Sequence, residues 1–308
     1  MSHSHDHAHP HAHSHAAPER RESRLLFAFA LTLLMLVAEA VGGWISGSLA
    51  LLADAGHMLV DAGALMFAWL GAHFARRPAD SLRSFGYARL EVLVGYSNAL
   101  VQFLLVAWII AEAAMRFAEP QPILSGTMLA VAVAGLIVNA VVLGALSHDH
   151  GDVNTAAARL HVLGDLFGSV GAIAAALLIR YFDWLWADPL VSVLVSLLIL
   201  GNAWRLLRRC AHILLEGTPE GMDADIVGGA IEREAAGVRD VHHVHVWQLA
   251  GGRHVATLHA RALEGFAPDQ VILSIQTVLR ERFSVEHATV QLESAHCDEP
   301  GCDRPTAG

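Results

Sequence analysis

Lysine does not occur in this chain of 308 residues, and only 16% of its side chains are charged; all twenty basic residues are arginine. Without lysine there is no Gly-rich phosphate loop ending in Gly-Lys-Ser/Thr, which excludes nucleotide-driven chemistry of that kind. The chain is read as something other than an enzyme. The net charge of −10 is not the basic balance of a nucleic-acid binder, and no such partner is expected. Cysteine is scarce as well. Cys210, Cys297 and Cys302 are too few for a disulfide framework and are expected as reduced thiols.

What the chain has in abundance is apolar sequence. Hydrophobic residues make up 54% of it and its mean hydropathy is +0.44. Six runs reach the ~20 apolar residues that a helix needs to cross a bilayer. They fall near 25–46, 49–74, 90–117, 124–146, 156–182 and 190–207. After Arg208 ordinary charge density returns. The expected organisation is an arm at 1–24, a six-helix membrane domain at 25–208, a cytosolic domain at 209–294 and a Cys-containing tail at 295–308.

Arginine also predicts orientation. Arg20, Arg21, Arg24, Arg76, Arg77, Arg83, Arg89, Arg159, Arg205, Arg208 and Arg209 lie before the first run, in or near alternate connections, or around the end of the sixth, whereas the opposite side has little more than Arg116 and Arg180. The positive-inside rule puts both termini and the soluble domain in the cytoplasm. A polar arm with no small-residue cleavage site after the first run predicts no cleaved signal peptide.

The most informative residues are ionisable ones inside the apolar runs. His57-x3-Asp61 and His161-x3-Asp165 repeat one spacing in the second and fifth runs. An ionisable group at mid-membrane costs at least ~2.5–3.5 kcal/mol, so it persists chiefly where it meets a partner or lines a pathway. A step of four puts both side chains on one helical face, and two such helices facing each other would converge two imidazoles and two carboxylates. That donor set suits tetrahedral Zn2+, with Cd2+ and Co2+ as further candidates, whereas an all-oxygen site would suit Mn2+. Asp54 continues the stripe, as an entry-side or supporting carboxylate. Glu39 and Asn139 are expected to hydrogen-bond between helices rather than to ligate. Ala53, Ala55, Gly56, Ala62, Gly63, Gly164, Gly168 and Gly171 predict close helix approach around the pairs.

Histidine also fills the amino-terminal arm at positions 3, 5, 7, 9, 11, 13 and 15. Alternation with small and polar residues cannot build a core, and the arm reads as a loose metal-gathering segment. His148 and His150 extend the theme between the fourth and fifth runs. Cys297-x4-Cys302, preceded by His296, is a looser candidate for a soft metal site, set against a tail with two idle thiols.

Five segments together resemble the cation diffusion facilitator family over nearly the whole chain. They are ExxGG at 39–43, SLALLADAGHMLVDAGAL at 48–65, FGYARLE at 85–91, NTAAARLHVLGDLFGSVGA at 154–172 and VHHVHVW at 241–247. The two His-x3-Asp pairs and the His-rich stretch are similar to the zinc-transporting branch, with its bacterial zinc and cadmium exporters. The resemblance implies a homodimer of six-helix protomers in a bacterial cytoplasmic membrane, exchanging cytosolic Zn2+ for protons. Its transport ligands carry over as His57, Asp61, His161 and Asp165. Family members often have a histidine shortly before the FG pair, but this chain has Ser84 there, which puts a metal site in that connection in doubt.

Read independently, the soluble part gives the order α-β-β-α-β. Asp223 caps a helix with Ile226, Val227, Ala230 and Ile231 on its apolar face; strands follow at 241–249 and 253–262 around a Gly251-Gly252 turn, then a helix at 268–283 and a strand at 287–293. In the last strand Ala288, Val290 and Leu292 face the core, and His287, Gln291 and Glu293 the other side. The resemblance implies a metallochaperone-like α+β fold that dimerises. It carries His242 and His259 over to positions that bind regulatory Zn2+, with His287 and Glu293 as companions. His243, His245 and His254 crowd the same sheet.

Charge supplies a mechanism. Imidazoles must be neutral to bind metal, so metal entry expels protons and proton entry expels metal, and a bundle rocking about a mid-membrane site completes antiport. The rival readings are a passive channel, from which ions must leave quickly, and a membrane-tethered zinc sensor.

Overall fold

The computed structural model describes residues 18–75, 80–146 and 153–293. Among them six helices are long and apolar enough to cross a membrane: α1 (Pro18–Ser46), α2 (Leu49–Ala75), α3 (Arg89–Ala118), α4 (Ser125–Leu146), α5 (Val153–Phe182) and α6 (Ala187–Leu214). Each matches an expected run. The largest differences are at α1, which begins seven residues before 25, and at α6, which continues seven residues past 207 to Leu214, because charged residues such as Arg208 and Arg209 are compatible with a helix outside the apolar layer. Cys210 lies in that last part as a buried free thiol.

The chain divides into two compact units, residues 1–59 with 105–198 and residues 60–104 with 199–308. In the first, α4 packs along α5 and against α1. Small residues set that approach: a Cβ on Gly135 would come within 2.9 Å of Glu39 Oε1, and one on Gly171 within 2.9 Å of Val191. Gly56 and Gly168 also meet neighbours, whereas Gly63 and Gly164 meet no described atom within 4 Å. Close approach is therefore real at only some of the small residues the sequence offers.

The turn between α1 and α2 shows how a helix end is satisfied where water is scarce. Gly47 takes φ +74, a left-handed conformation that favours glycine. Asp188, wholly buried at the start of α6, accepts bonds from the Ser48 hydroxyl at 2.6 Å and from the Leu49 and Ala50 amides at 2.7 and 3.1 Å. The Leu51 amide donates to Ser48 Oγ. Arg116 of α3 donates to the Gly47 carbonyl, and the Leu124 amide to that of Ser46. Orphan donors and acceptors of the kind that every helix terminus exposes thus find partners, and α2 is anchored at its first residue.

The second unit holds the soluble α+β layer: α7 (Ala224–Glu234), β1 (Val238–Gln248), β2 (His254–Ala262), α8 (Pro268–Phe283) and β3 (Val285–Glu293). The predicted α-β-β-α-β order is observed. β2 is central, antiparallel to β1 and parallel to β3. One face of the sheet, with Val241, Val246, Leu258 and Ala260, packs on Val227, Ile231, Val271, Ile275 and Leu279 of the two helices, and Ala288, Val290 and Leu292 join it as expected. Two local expectations need correction. Asp223 occupies the N-cap position without a side-chain bond, and Ile226 is exposed while Gly228 takes the buried position, because the helix turns its small residues towards the sheet.

Candidate metal sites

In α2, His57 is buried, and Asp61 lies one turn further along, where its Oδ1 accepts a 2.8 Å bond from the Gln102 amide of α3. Gln102 is itself buried. Sequence reasoning passed over it, although an amide in the middle of an apolar run is the kind of residue that needs a partner. Asp165 sits in α5, within electrostatic reach of Glu39 and Asp54. Those two buried carboxyls interact between α1 and α2. Asn139 donates to Ser169 Oγ at 3.3 Å between α4 and α5. Asn139 thus bonds between helices, and Glu39 meets a carboxyl of the neighbouring helix. The side chain of His161 lies outside the described residues, although its place in α5, one turn before Asp165, is described. The His-rich arm, His148, His150, His296, Cys297 and Cys302 also lie outside them.

The cytosolic sheet builds a second cluster on its uncovered face. Pairing sets His242 of β1 opposite His259 of β2, and His259 opposite Gln291 of β3. Glu293 lies two residues beyond Gln291, on the same face. Its two oxygens meet His242 Nε2 at 3.0 Å and His259 Nδ1 at 2.8 Å. One ligand atom from each of the three residues lies within 4.8 Å of the others. Two imidazoles and a carboxylate fit Zn2+, which commonly takes three protein ligands and leaves one position for water or another group.

Neighbours orient this cluster. Burial by itself raises the pKa of Glu293, but hydrogen bonds and charge from His242 and His259 outweigh it and hold the carboxyl below the usual carboxylate range. Asp240 is held low chiefly by hydrogen bonds from Arg261, whose Nε sits 2.9 and 2.8 Å from the two oxygens. Asp240 Oδ1 in turn lies 3.7 Å from His242 Nδ1. A carboxylate on the far nitrogen of an imidazole is a familiar support for a metal ligand.

A bulge adds histidines to this face. Between His242 and His245 the register slips by one residue, and His243 takes φ 53. An odd step along a regular strand reverses the side chain's face; the extra residue restores His245 to the side of His242. The His243 ring then stands 5.0 Å from that of His245 and 4.9 Å from that of His259. His287 is placed elsewhere on the sheet. It is not in the cluster but opposite Val255, nearer the other end of β3, with its ring 5.8 Å from Phe85 in an edge contact. His254 is also apart, bonded to the Phe283 carbonyl.

Phe85 belongs to the connection between α2 and α3, whose described part is tightly braced. Asp80 accepts from the Leu82 and Arg83 amides at 2.8 Å each and from the Tyr87 hydroxyl at 2.9 Å. Arg89, at the start of α3, pairs with Glu216 at 2.8 Å.

Fold and sites together define a multi-pass membrane protein with a metal-binding type of cluster on a soluble domain. Residues 25–215 match the family description "Cation efflux transmembrane domain" and residues 219–295 match "Cation efflux protein, cytoplasmic domain". The chain belongs to this cation efflux family, the cation diffusion facilitators of the sequence resemblance. It is 46% identical over 281 residues to "Zinc transporter ZitB" of Escherichia coli, covering 91% of this chain and 90% of that protein. It is 39% identical over 284 residues to "Metal cation efflux system protein CzcD" of Cupriavidus metallidurans, with 92% and 90% covered. To the "Cadmium, cobalt and zinc/H(+)-K(+) antiporter" of Bacillus subtilis it is 36% identical over 280 residues, with 88% of each covered.

Proposed function

We propose that this protein exports cytosolic Zn2+, and to a lesser extent Cd2+ and Co2+, in exchange for protons. The observation that carries this reading is the repeated His-x3-Asp spacing on two helices able to cross the membrane, in a chain whose relatives are named as zinc transporters and a zinc antiporter. In this reading His57, Asp61, His161 and Asp165 converge on the cation in flight. Two carboxylates balance its charge, and neutral imidazoles supply nitrogen ligands that must shed any proton before they bind. Alternating access then carries metal one way and protons the other.

The chain works as a homodimer with both termini in the cytoplasm. Support comes from the match to the family's cytoplasmic domain and from the arginine distribution. His242, His259 and Glu293 hold a regulatory Zn2+, oriented by Asp240, while the arm at 1–24 gathers metal and the tail thiols Cys297 and Cys302 remain a looser candidate site.

The test is zinc flux in sealed vesicles with pH set on each side. Transport is expected to follow the proton gradient and to collapse when the gradient is dissipated at clamped membrane potential. Undiminished flux without a gradient would favour a passive channel, and no flux at all, with metal still bound, a tethered sensor.

A further inference from the structure

Glu39 is the only ionisable residue of α1 beyond Arg24, and α4, which packs against that helix, has none at all. The Glu39 side chain is 1% exposed, and its Oε2 is buried with no hydrogen-bond partner among the described residues. Oε1 fills the space opposite Gly135, where a Cβ would come within 2.9 Å of it. From α2 the buried Asp54 carboxyl meets Glu39, with His57 one turn further along, and from α5 Asp165 acts on both carboxyls at a distance. Among the described residues no arginine pairs with Glu39 or Asp54. Two ionised carboxylates only accept hydrogen bonds and repel each other, whereas a neutral carboxyl also donates. Charging both in a bundle that excludes water would carry the penalty of buried, unpaired charge. Carboxyls brought together in this way keep one proton between them.

We propose that Glu39 and Asp54 hold one proton between them and form a proton-carrying site of the antiport, apart from the metal ligands. This rests on the proposed exchange of Zn2+ for protons. A dication arriving at Asp165 sets positive charge within electrostatic reach of the pair, and the shared proton leaves. Its O–H bond breaks, the proton passes to water, and both carboxyls are left ionised. When the metal departs, the pair takes a proton back from water. Metal and proton therefore alternate although they occupy different groups, as intramembrane acids do in proton relays. The pair lies towards the α1–α2 turn, with Glu39 seven residues before the end of α1 and Asp54 five after the start of α2. In the proposed orientation that is the outer side, where the proton enters.

The experiment uses the full chain in proteoliposomes, with a zinc dye and a pH dye giving the protons moved per Zn2+. Glu39→Gln keeps the shape of the side chain and can donate to Asp54, but it cannot lose a proton. The ratio is expected to fall by about one proton per zinc, and Asp54→Asn should lower it by the same amount. The double variant should lose no more than either single one, because the proton is shared. An unchanged ratio in both single variants, or a loss in the double variant equal to the sum of the two, would overturn the proposal. Where flux in a variant is too small for a ratio, infrared difference spectra of the same protein with and without Zn2+ decide. The unaltered protein is expected to lose a protonated-carboxyl C=O band when zinc is added, and the variants to lack that loss; a loss of equal size in the variants would also overturn the proposal. If the unaltered protein moves no protons with zinc, the antiport reading itself fails. If it does, and neither amide variant changes the ratio, only this proposal fails.

Discussion

The membrane pairs and the cytosolic cluster use the same two chemical groups, imidazole and carboxylate, but bring them together by different means. In α2 and α5 the proposed site is a matter of spacing: a step of four along one helix brings imidazole and carboxylate to one face whatever surrounds it. In the sheet no spacing along the chain announces the cluster. His242, His259 and Glu293 come from three strands, and only the pairing of β1 with β2 and β2 with β3 brings them within 4.8 Å. Local geometry is written in the chain, while register is decided by the hydrophobic faces that the strands bury.

The largest effect should come from breaking the helical spacing. Alanine at His57, Asp61, His161 or Asp165 is expected to cut zinc flux at least ~10-fold, a loss typical of missing support or ligands at a metal site, while protein abundance in membranes stays normal. Near-normal flux in any two of the four would sink the site.

Breaking the register-built cluster should do something else. His259→Ala or Glu293→Ala is expected to weaken zinc binding at the cytosolic site by roughly 10–100-fold and leave the maximal rate of transport much less affected, and His287→Ala should leave that binding unchanged. Equilibrium dialysis with radioactive zinc on protein lacking the arm would show it; equal losses in all three would mean that the register does not select the ligands.

A smaller effect is expected at the anchored turn. Gly47→Ala must hold φ +74 with a Cβ 3.1 Å from the Pro122 carbonyl, which costs about 1–2 kcal/mol. Thermal unfolding in detergent should shift down while half-saturating zinc stays the same. A change in zinc affinity would tie the turn to the transport site more directly than its position suggests.

The least visible effect concerns pH. Glu293 has a folded-state pKa below its ordinary value, so its contribution to stability is present above the ordinary carboxylate range, about pH 4.3. It is lost only as pH falls through the depressed value. Carbon NMR on glutamate-labelled protein should find the Glu293 carboxyl ionised at mildly acidic pH. A midpoint at or above that of exposed glutamates would mean that His242 and His259 do not outweigh burial.

Much of this protein was legible before any coordinates. Six spans, the α-β-β-α-β order and the inward set Ala288, Val290 and Leu292 follow from apolar length and period, because water exclusion acts on each segment locally. The interhelical roles of Glu39 and Asn139 were legible for a related reason, since a polar side chain in an apolar helix must find a partner. Which partner was not. Gln102 at Asp61, Asp188 at the start of α2, and Phe85 against His287 are contacts between residues 41, 138 to 140 and 202 positions apart. His287 shows the limit most clearly. Its type and strand matched those of a ligand, yet the register sets it opposite Val255. The sequence determined which faces are buried and which helices carry ionisable groups, since those depend on a few neighbouring residues. Only the tertiary structure decided which donor meets which acceptor, because that depends on the packing of whole elements, and a one-residue bulge at His243 is enough to change the face on which a histidine stands.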